Sequence, residues 1–332
     1  MTQLAINGFG RIGRSFFRAL MATQRDIDIV AINDLGSITQ LAHLLKYDTA
    51  FGRFPAHVAT AEGMLIVNGK KIAVYQERDP AQLPWKALGI DVVLESTGVF
   101  TDGKKAQAHR DAGARKVLIS APGTNVDLTL VQGVNHDHYQ YDKHHIVSNA
   151  SCTTNCLAPV AKILHDNFGI ASGFMTTVHA YTQDQNLQDA PHADMRRARS
   201  AAQNVVPTST GAAKSIGQVI PALQGKLDGG SVRVPVITGS MIDLTVNLQR
   251  EVIAHQVNAL FKIAAASAEL KGILRYTEDP IVSSDIIQDS ASSIVDAGLT
   301  KVVHGKLLKV VSWYDNEWGF SNRLIDTIAQ IA

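Results

Sequence analysis

At 332 residues the chain is longer than one ordinary domain, and 45% hydrophobic with 18% charged residues predicts two soluble domains with ample core. A formal net charge of +1 excludes global attraction to nucleic acid or a membrane surface, so an anionic ligand must be held by a local cluster of donors. No apolar run approaches membrane-spanning length, no basic region followed by an apolar core opens the sequence, and two cysteines fit a reducing cytoplasm better than a disulfide scaffold.

Leu4-Ala5-Ile6-Asn7 reads as a buried strand, and Gly8-Phe9-Gly10-Arg11-Ile12-Gly13-Arg14 follows at once. Phe16, Phe17, Leu20 and Met21 then recur at helical spacing, so the G-x-G-x-x-G pattern lies between strand and helix. Gly8 permits the tight turn, Gly10 admits a pyrophosphate to the backbone, and Gly13 lets helix and strand pack closely. The amides of Arg11 and Ile12 would donate to the phosphates at the helix N-terminus. The next strand, Asp28 to Asn33, ends in Asp34, about twenty positions on. A carboxylate there accepts from a ribose 2′-hydroxyl and repels a 2′-phosphate, which favours NAD over NADP.

Between residues 54 and 76, short β runs flank Asn68-Gly69, the signal of an antiparallel hairpin insertion. Asp91 to Gly98 reads as a further strand with a polar end at the ligand-binding edge, and Arg115 to Ser120 repeats the pattern. Alternating strands and helices predict a doubly wound α/β domain over 1–150. His136, His138, His144 and His145 cluster in a polar stretch, but their spacing matches no metal-ligand pattern, and no metal is expected.

Ser151-Cys152-Thr153-Thr154-Asn155-Cys156 stands between a β-like run and a helical pattern from Leu157 to Phe168. A cysteine at a helix start meets orphan amides and the positive end of the helix dipole, both favouring thiolate, so Cys152 reads as an activated nucleophile. Cys156, one turn inside, reads as inert packing. A thiol nucleophile needs a proton acceptor, and His179, near the exit of the predicted strand Phe174 to His179, is of the right chemistry. A hydrogen-bonded structural histidine is the alternative, since spacing does not place it beside Cys152.

Ala180 to about Ala202 is a long, helix-poor loop containing Arg196, Arg197 and Arg199, fork donors suited to phosphate or to a subunit contact. Thr208 to Lys214 opens a helix with hydroxyls and a glycine, a second anion-friendly N-terminus, and Arg233 brings a charge into an apolar β run. The remainder alternates β runs (Met241 to Leu248, Lys306 to Tyr314) with a helix near His255 to Leu270. This predicts a catalytic α+β domain over 151–316, its sheet mixed and largely antiparallel with helices on one side. A last helix, 317–332, carries Leu324, Ile325 and Ile328 on the face that returns to the first domain.

Along essentially its whole length the chain resembles phosphorylating glyceraldehyde-3-phosphate dehydrogenases. The matching motifs are I-N-G-F-G-R-I-G-R at Ile6 to Arg14, A-S-C-T-T-N-C at Ala150 to Cys156, T-V-H at Thr177 to His179, P-T-S-T-G-A-A-K at Pro207 to Lys214 and S-W-Y-D-N-E at Ser312 to Glu317. The resemblance implies oxidation of D-glyceraldehyde 3-phosphate to 1,3-bisphosphoglycerate with NAD and inorganic phosphate, through a hemithioacetal and a thioester on Cys152 and with His179 as general base. It implies NAD contacts from Gly8, Arg11, Ile12, Asp34, Arg78, Ser120 and Asn316. It assigns the substrate phosphate to Thr182 and Arg233, and the attacking phosphate to Ser151, Thr153, Arg197, Thr210 and Gly211, with Arg199 the rival of Arg197. A cytoplasmic homotetramer is implied too, with the loop Ala180 to Ala202 lining a neighbour's cofactor pocket.

One position departs from the pattern of many NAD-specific members: Ala190-Pro191 stands where they carry Leu-Pro. The smaller side chain leaves room for residual NADP use, while Asp34 keeps NAD strongly preferred. Two alternatives stand beside this reading. Erythrose-4-phosphate dehydrogenase is disfavoured by Thr210 in an intact Thr-Gly-Ala-Ala-Lys, and a groove that binds RNA or a host ligand is disfavoured by the lack of a basic stripe.

Overall fold

The computed structural model describes residues 1–332, which divide into two units. The first comprises Met1–Leu130, Asp137–Ala150 and Ser321–Ala332; the second comprises Val131–His136 and Ser151–Phe320.

In the first unit a nine-stranded sheet runs in the order Leu128–Thr129, Ile146–Ser148, Lys116–Ile119, Val92–Glu95, Thr2–Asn7, Ile27–Asn33, Lys70–Tyr75, Met64–Val67, Val58–Ala61. Every pairing from Leu128–Thr129 to Lys70–Tyr75 is parallel, and the last two are antiparallel. The central strands are buried end to end, as parallel strands covered on both faces must be. The antiparallel edge is the hairpin insertion, closed by Asn68 (φ 49°) and Gly69 (φ 84°). The strand predicted over Asp91 to Gly98 stops at Glu95. There the chain turns so that the Thr97 amide can donate to the buried Glu95 carboxylate (2.8 Å), which also receives Asn7 Nδ2 (2.6 Å) and His109 Nε2 (3.0 Å). In the last helix, Trp318–Ile331, Leu324, Ile325 and Ile328 are buried and the Thr327 hydroxyl donates to Asn149 Oδ1 (2.7 Å).

The second unit is a seven-stranded mixed sheet in the order Val206–Ser209, Leu227–Val234, Ile170–Ala180, Ser240–Leu248, Leu307–Tyr314, Ser293–Val303, Leu274–Thr277. The helices Cys152–Phe168, Ala212–Val219 and Ala254–Ala266 pack on one face, where Met175, Ile242 and Leu244 are fully buried. On the other face Phe174 is 71% exposed. The eleven-residue strand Ser293–Val303 has no clear counterpart in the sequence pattern. Asp296-Ala297-Gly298 breaks its alternation where its register against Leu307–Tyr314 shifts.

Candidate active site

In the first unit the three motif glycines divide by task. At Gly8 (φ 90°) a Cβ would lie 2.6 Å from the Thr97 amide nitrogen, and at Gly13 it would lie 2.2 Å from the Gly8 carbonyl oxygen. Both are packing requirements. At Gly10 a Cβ would meet nothing within 4 Å, so that position needs no glycine for the protein's own packing. Gly10 is also the N-cap of the helix Arg11–Met21 and contributes no capping side chain, so Arg11 and Ile12 open the helix toward any anion that arrives. The Arg11 guanidinium itself is committed to Asp48, at 2.5 and 3.3 Å.

Asp34 is held by the amides of Phe9 (2.7 Å on Oδ2) and Gly36 (2.8 Å on Oδ1), which aim its carboxylate. It borders a cavity of about 630 Å³ also lined by Phe9, Gly10, Thr39 and His43. Arg78 is exposed just beyond the strand Lys70–Tyr75, and Ser120 ends the strand Lys116–Ile119 with its amide on the Glu95 carbonyl (2.9 Å). A bare helix start, an aimed carboxylate and an adjoining cavity at the carboxyl ends of parallel strands suit a dinucleotide.

In the second unit Ser151 is the N-cap of the helix Cys152–Phe168, its hydroxyl accepting from the Thr154 amide (3.0 Å). Part-buried Cys152 is therefore the first helical residue. Its Sγ lies 3.5 Å from His179 Nε2, so the pair that spacing could not join is in contact. His179 is 4% exposed and stands near the end of the strand Ile170–Ala180. Its register partner on the neighbouring parallel strand is Arg233, whose Nη1 lies 2.5 Å from His179 Nδ1.

Burial pushes the imidazole pKa down to about 3, and the Arg233 charge adds to the effect. Burial also pushes the Cys152 thiol above its ordinary value, against opposing contributions from the Arg233 charge, the Thr153 hydroxyl and the local amides. The thiolate-favouring groups expected at the helix start are thus present but outweighed by desolvation. Cys156 is fully buried against Ser293 and Ser312, with its thiol pushed up to about 12.

Thr153 does not reach outward; its hydroxyl pairs with the Tyr314 hydroxyl (2.7 Å), which also pairs with Thr177 (2.9 Å). Tyr314 is buried, sits edge-on to the His179 ring at 6.0 Å, and ties the helix start to the histidine's strand. In the sequence Tyr314 is one residue of the Ser312 to Glu317 motif, with no role assigned to it. Its only signal was a polar tip at the end of an apolar strand.

Arg197 lies over the strand Val206–Ser209: its Nε donates to Thr208 Oγ1 (2.8 Å), its Nη2 to the Ser209 carbonyl (3.2 Å), and its Nη1 pairs with Asp184. Thr210 and Gly211 follow directly, Gly211 as the N-cap of Ala212–Val219 and Thr210 accepting from the Ala212 amide (3.2 Å). Arg199 turns instead to Asp189 (2.8 Å) in the exposed loop. The Thr182 amide donates to Gln185 (3.2 Å). Asn316 is buried, with Gly239 N (3.2 Å) and Ser240 Oγ (2.8 Å) converging on its Oδ1 and fixing its amide orientation. In the histidine-rich stretch, His136 Nδ1 accepts the Gly133 amide and His144 Nδ1 accepts the Gln140 amide, so those rings close turns.

A doubly wound dinucleotide unit, joined in one chain to a unit that holds a thiol against an imidazole, defines an NAD-dependent oxidoreductase. Residues 2–103 match the family model of the glyceraldehyde 3-phosphate dehydrogenase NAD binding domain, and residues 151–316 match that of the C-terminal domain of the same enzymes. The chain is 59% identical over 324 residues to the glyceraldehyde-3-phosphate dehydrogenase of Streptomyces coelicolor, covering 98% of this chain and 96% of that one. It is 58% identical over 335 residues to that of Mycobacterium leprae (99% and 98% covered), and 58% over 332 residues to that of Kitasatospora aureofaciens (100% and 99%). The chain belongs to the glyceraldehyde 3-phosphate dehydrogenase family.

Proposed function

We propose that this chain oxidises D-glyceraldehyde 3-phosphate and couples the oxidation to phosphorylation, yielding 1,3-bisphosphoglycerate. The observation that carries this reading is the contact of Cys152 Sγ with His179 Nε2, with Arg233 at the far side of the ring. NAD, held by Gly10, Arg11, Ile12, Asp34, Arg78, Ser120 and Asn316 on a turn that Gly8 and Gly13 shape, supplies the hydride acceptor when bound.

Cys152 Sγ adds to the aldehyde carbon, and His179 Nε2 takes the proton of the resulting hemithioacetal hydroxyl. Burial favours the neutral imidazole, which has a lone pair with which to accept that proton. Loss of hydride from the same carbon leaves a thioester on Cys152, which conserves the energy of the oxidation. A phosphate oxygen then attacks the thioester carbonyl, the C–S bond breaks, and the acyl phosphate leaves with the proton returned through His179.

Thr182 and Arg233 hold the substrate's phosphate. Ser151, Thr210, Gly211 and Arg197 serve the attacking phosphate, and Thr153 joins them once its hydroxyl leaves Tyr314. Arg197 takes that role over Arg199, because it lies on the strand that leads into Thr210-Gly211 whereas Arg199 pairs with Asp189. A homotetramer in the cytoplasm is part of the same proposal; no helix is long and apolar enough to cross a membrane.

The test is NADH formation from glyceraldehyde 3-phosphate and from erythrose 4-phosphate, each with and without inorganic phosphate. Preferred, phosphate-dependent turnover of the triose is expected. Preferred, phosphate-independent turnover of the tetrose would overturn the assignment.

A further inference from the structure

Asn33, Asn7 and Glu95 end three adjacent parallel strands, Ile27–Asn33, Thr2–Asn7 and Val92–Glu95, and are partners in register across them. Side chains at one level of a sheet share a face, and these three polar ones are buried. They form a single hydrogen-bonded row. Asn33 Nδ2 donates to Asn7 Oδ1 (2.7 Å), and Asn7 Nδ2 donates to Glu95 Oε2 (2.6 Å).

Both ends of the row fix its direction. At one end the Glu77 backbone holds the Asn33 amide, its N–H donating to Oδ1 (2.8 Å) and its carbonyl accepting from Nδ2 (2.9 Å). Asn33 can therefore offer Asn7 only a donor, and Asn7 in turn can offer Glu95 only a donor. At the other end the Trp85 indole, which can only donate, meets His109 Nδ1 (3.1 Å), so the ring's proton is on Nε2 and faces Glu95 Oε2 (3.0 Å). Asn7 Nδ2 and His109 Nε2, 3.3 Å apart, share that oxygen. The other, Oε1, receives the Thr97 amide (2.8 Å) and the Thr97 hydroxyl. Every donor in the row ends on Glu95, and neither oxygen has room for a donor of its own.

The members of the row precede the turns that receive NAD. Gly8 follows Asn7, Asp34 follows Asn33, Arg78 follows Glu77, and Ser96-Thr97-Gly98 follows Glu95. These turns are tied to one another as well. The Gly8 amide donates to the Asn33 carbonyl (2.8 Å), the Ser96 hydroxyl to the Gly8 carbonyl (2.6 Å), and the Phe9 amide to Asp34 Oδ2 (2.7 Å).

We propose that Glu95 is a positioning residue for the cofactor: as the common acceptor of this row it presets, through Asn7, Asn33 and Thr97, the turns that receive the ADP-ribose end of NAD. A site held in its bound form before the ligand arrives avoids the cost of ordering it. Resting on the assignment of Gly10, Asp34 and Arg78 to NAD, this deepens that reading: a carboxylate too buried to touch the cofactor sets its affinity.

The test titrates full-length protein with NAD and with ADP-ribose, which lacks the nicotinamide ring, and measures steady-state kinetics on the same samples. In Glu95→Gln an NH2 group replaces one oxygen and confronts a donor whichever way it turns. Both ligands should bind more weakly by the same factor, about tenfold or more, and the KM for NAD should rise with it. At saturating NAD, kcat should stay within about twofold, since Cys152 and His179 belong to the second unit. A merely structural role would lower stability without moving that KM. If Glu95→Gln fails to fold, Thr97→Val decides, because Thr97 is exposed and its hydroxyl is already occupied by Glu95 and the Val99 amide (3.0 Å). ADP-ribose should then bind about two- to fivefold more weakly, with normal binding kept in Thr97→Ser. Unchanged ADP-ribose affinity in the folded variant, or a fall in kcat with the KM for NAD unmoved, overturns the proposal. If the unsubstituted protein binds ADP-ribose yet forms no NADH from glyceraldehyde 3-phosphate, the proposed reaction fails and the titrations still decide the role of Glu95.

Discussion

Cys152 Sγ and His179 Nε2 meet at 3.5 Å across 27 positions of sequence, one at the start of a helix and the other near the end of the strand that follows it. The contact requires the two side chains to act as a unit. Cys152→Ser should lower turnover by at least roughly 10⁴-fold, and His179→Gln by about 10²–10⁴-fold. The double variant should be little worse than Cys152→Ser alone, because neither group works without the other. Steady-state rates that multiply in the double variant would show that they act independently.

The glycine motif separates packing from binding. Gly10→Ala should leave stability within about 0.5 kcal/mol, since the added Cβ meets nothing within 4 Å, yet weaken NAD binding by intruding on the phosphates' approach. Gly13→Ala should lose stability and NAD binding together, because its Cβ would fall 2.2 Å from the Gly8 carbonyl oxygen. Urea denaturation and NAD titration of the two variants check the contrast.

Tyr314→Phe would strip the buried hydroxyls of Thr153 and Thr177 of their shared partner. A loss of about 1–3 kcal/mol in stability is expected, with a smaller fall in turnover than His179→Gln produces. Chemical denaturation and kcat measured on the same sample separate the two effects.

The depressed imidazole has a consequence for stability as well. An unfolded chain protonates this histidine near pH 6.5, whereas the folded protein resists to about pH 3, so the unfolded state binds more protons between those values and stability falls as pH drops through them. One such group contributes at most about 1.4 kcal/mol per pH unit. The decline in Tm from pH 7 to pH 5 should therefore be shallower in His179→Gln, and identical slopes would show that the ring is not held neutral.

Much of the architecture was legible because local chemistry dictates it. Gly8, Gly10 and Gly13 between a strand and a helix, Asn68-Gly69 between two β runs, and Ser151 before Cys152 are signals that act within a few residues. The approach of His179 to Cys152 and Arg233 was not legible, since it depends on the parallel register of two strands whose contact spans 54 positions. The balance at the sulfur was hidden for the same reason. A helix start can be read from sequence, but the burial that outweighs it is a property of the packed unit. Tyr314 escaped because its partners come from the helix start and from a second strand.

Asp34, aimed by two backbone amides, is the carboxylate we propose to favour a ribose hydroxyl over a 2′-phosphate, while Ala190 presents only a methyl group in the long loop. NAD should support much faster turnover than NADP at matched concentration, and Asp34→Ala should narrow the gap. Comparable rates with the unsubstituted protein would show that Asp34 does not set the preference.

The central claim is a thioester carried by Cys152, and omitting inorganic phosphate tests it most directly. With glyceraldehyde 3-phosphate and NAD alone, NADH should appear in a burst of about one equivalent per active site and then stall, with acyl mass added at Cys152. Steady turnover without phosphate, or acyl mass on any other residue, would contradict the account.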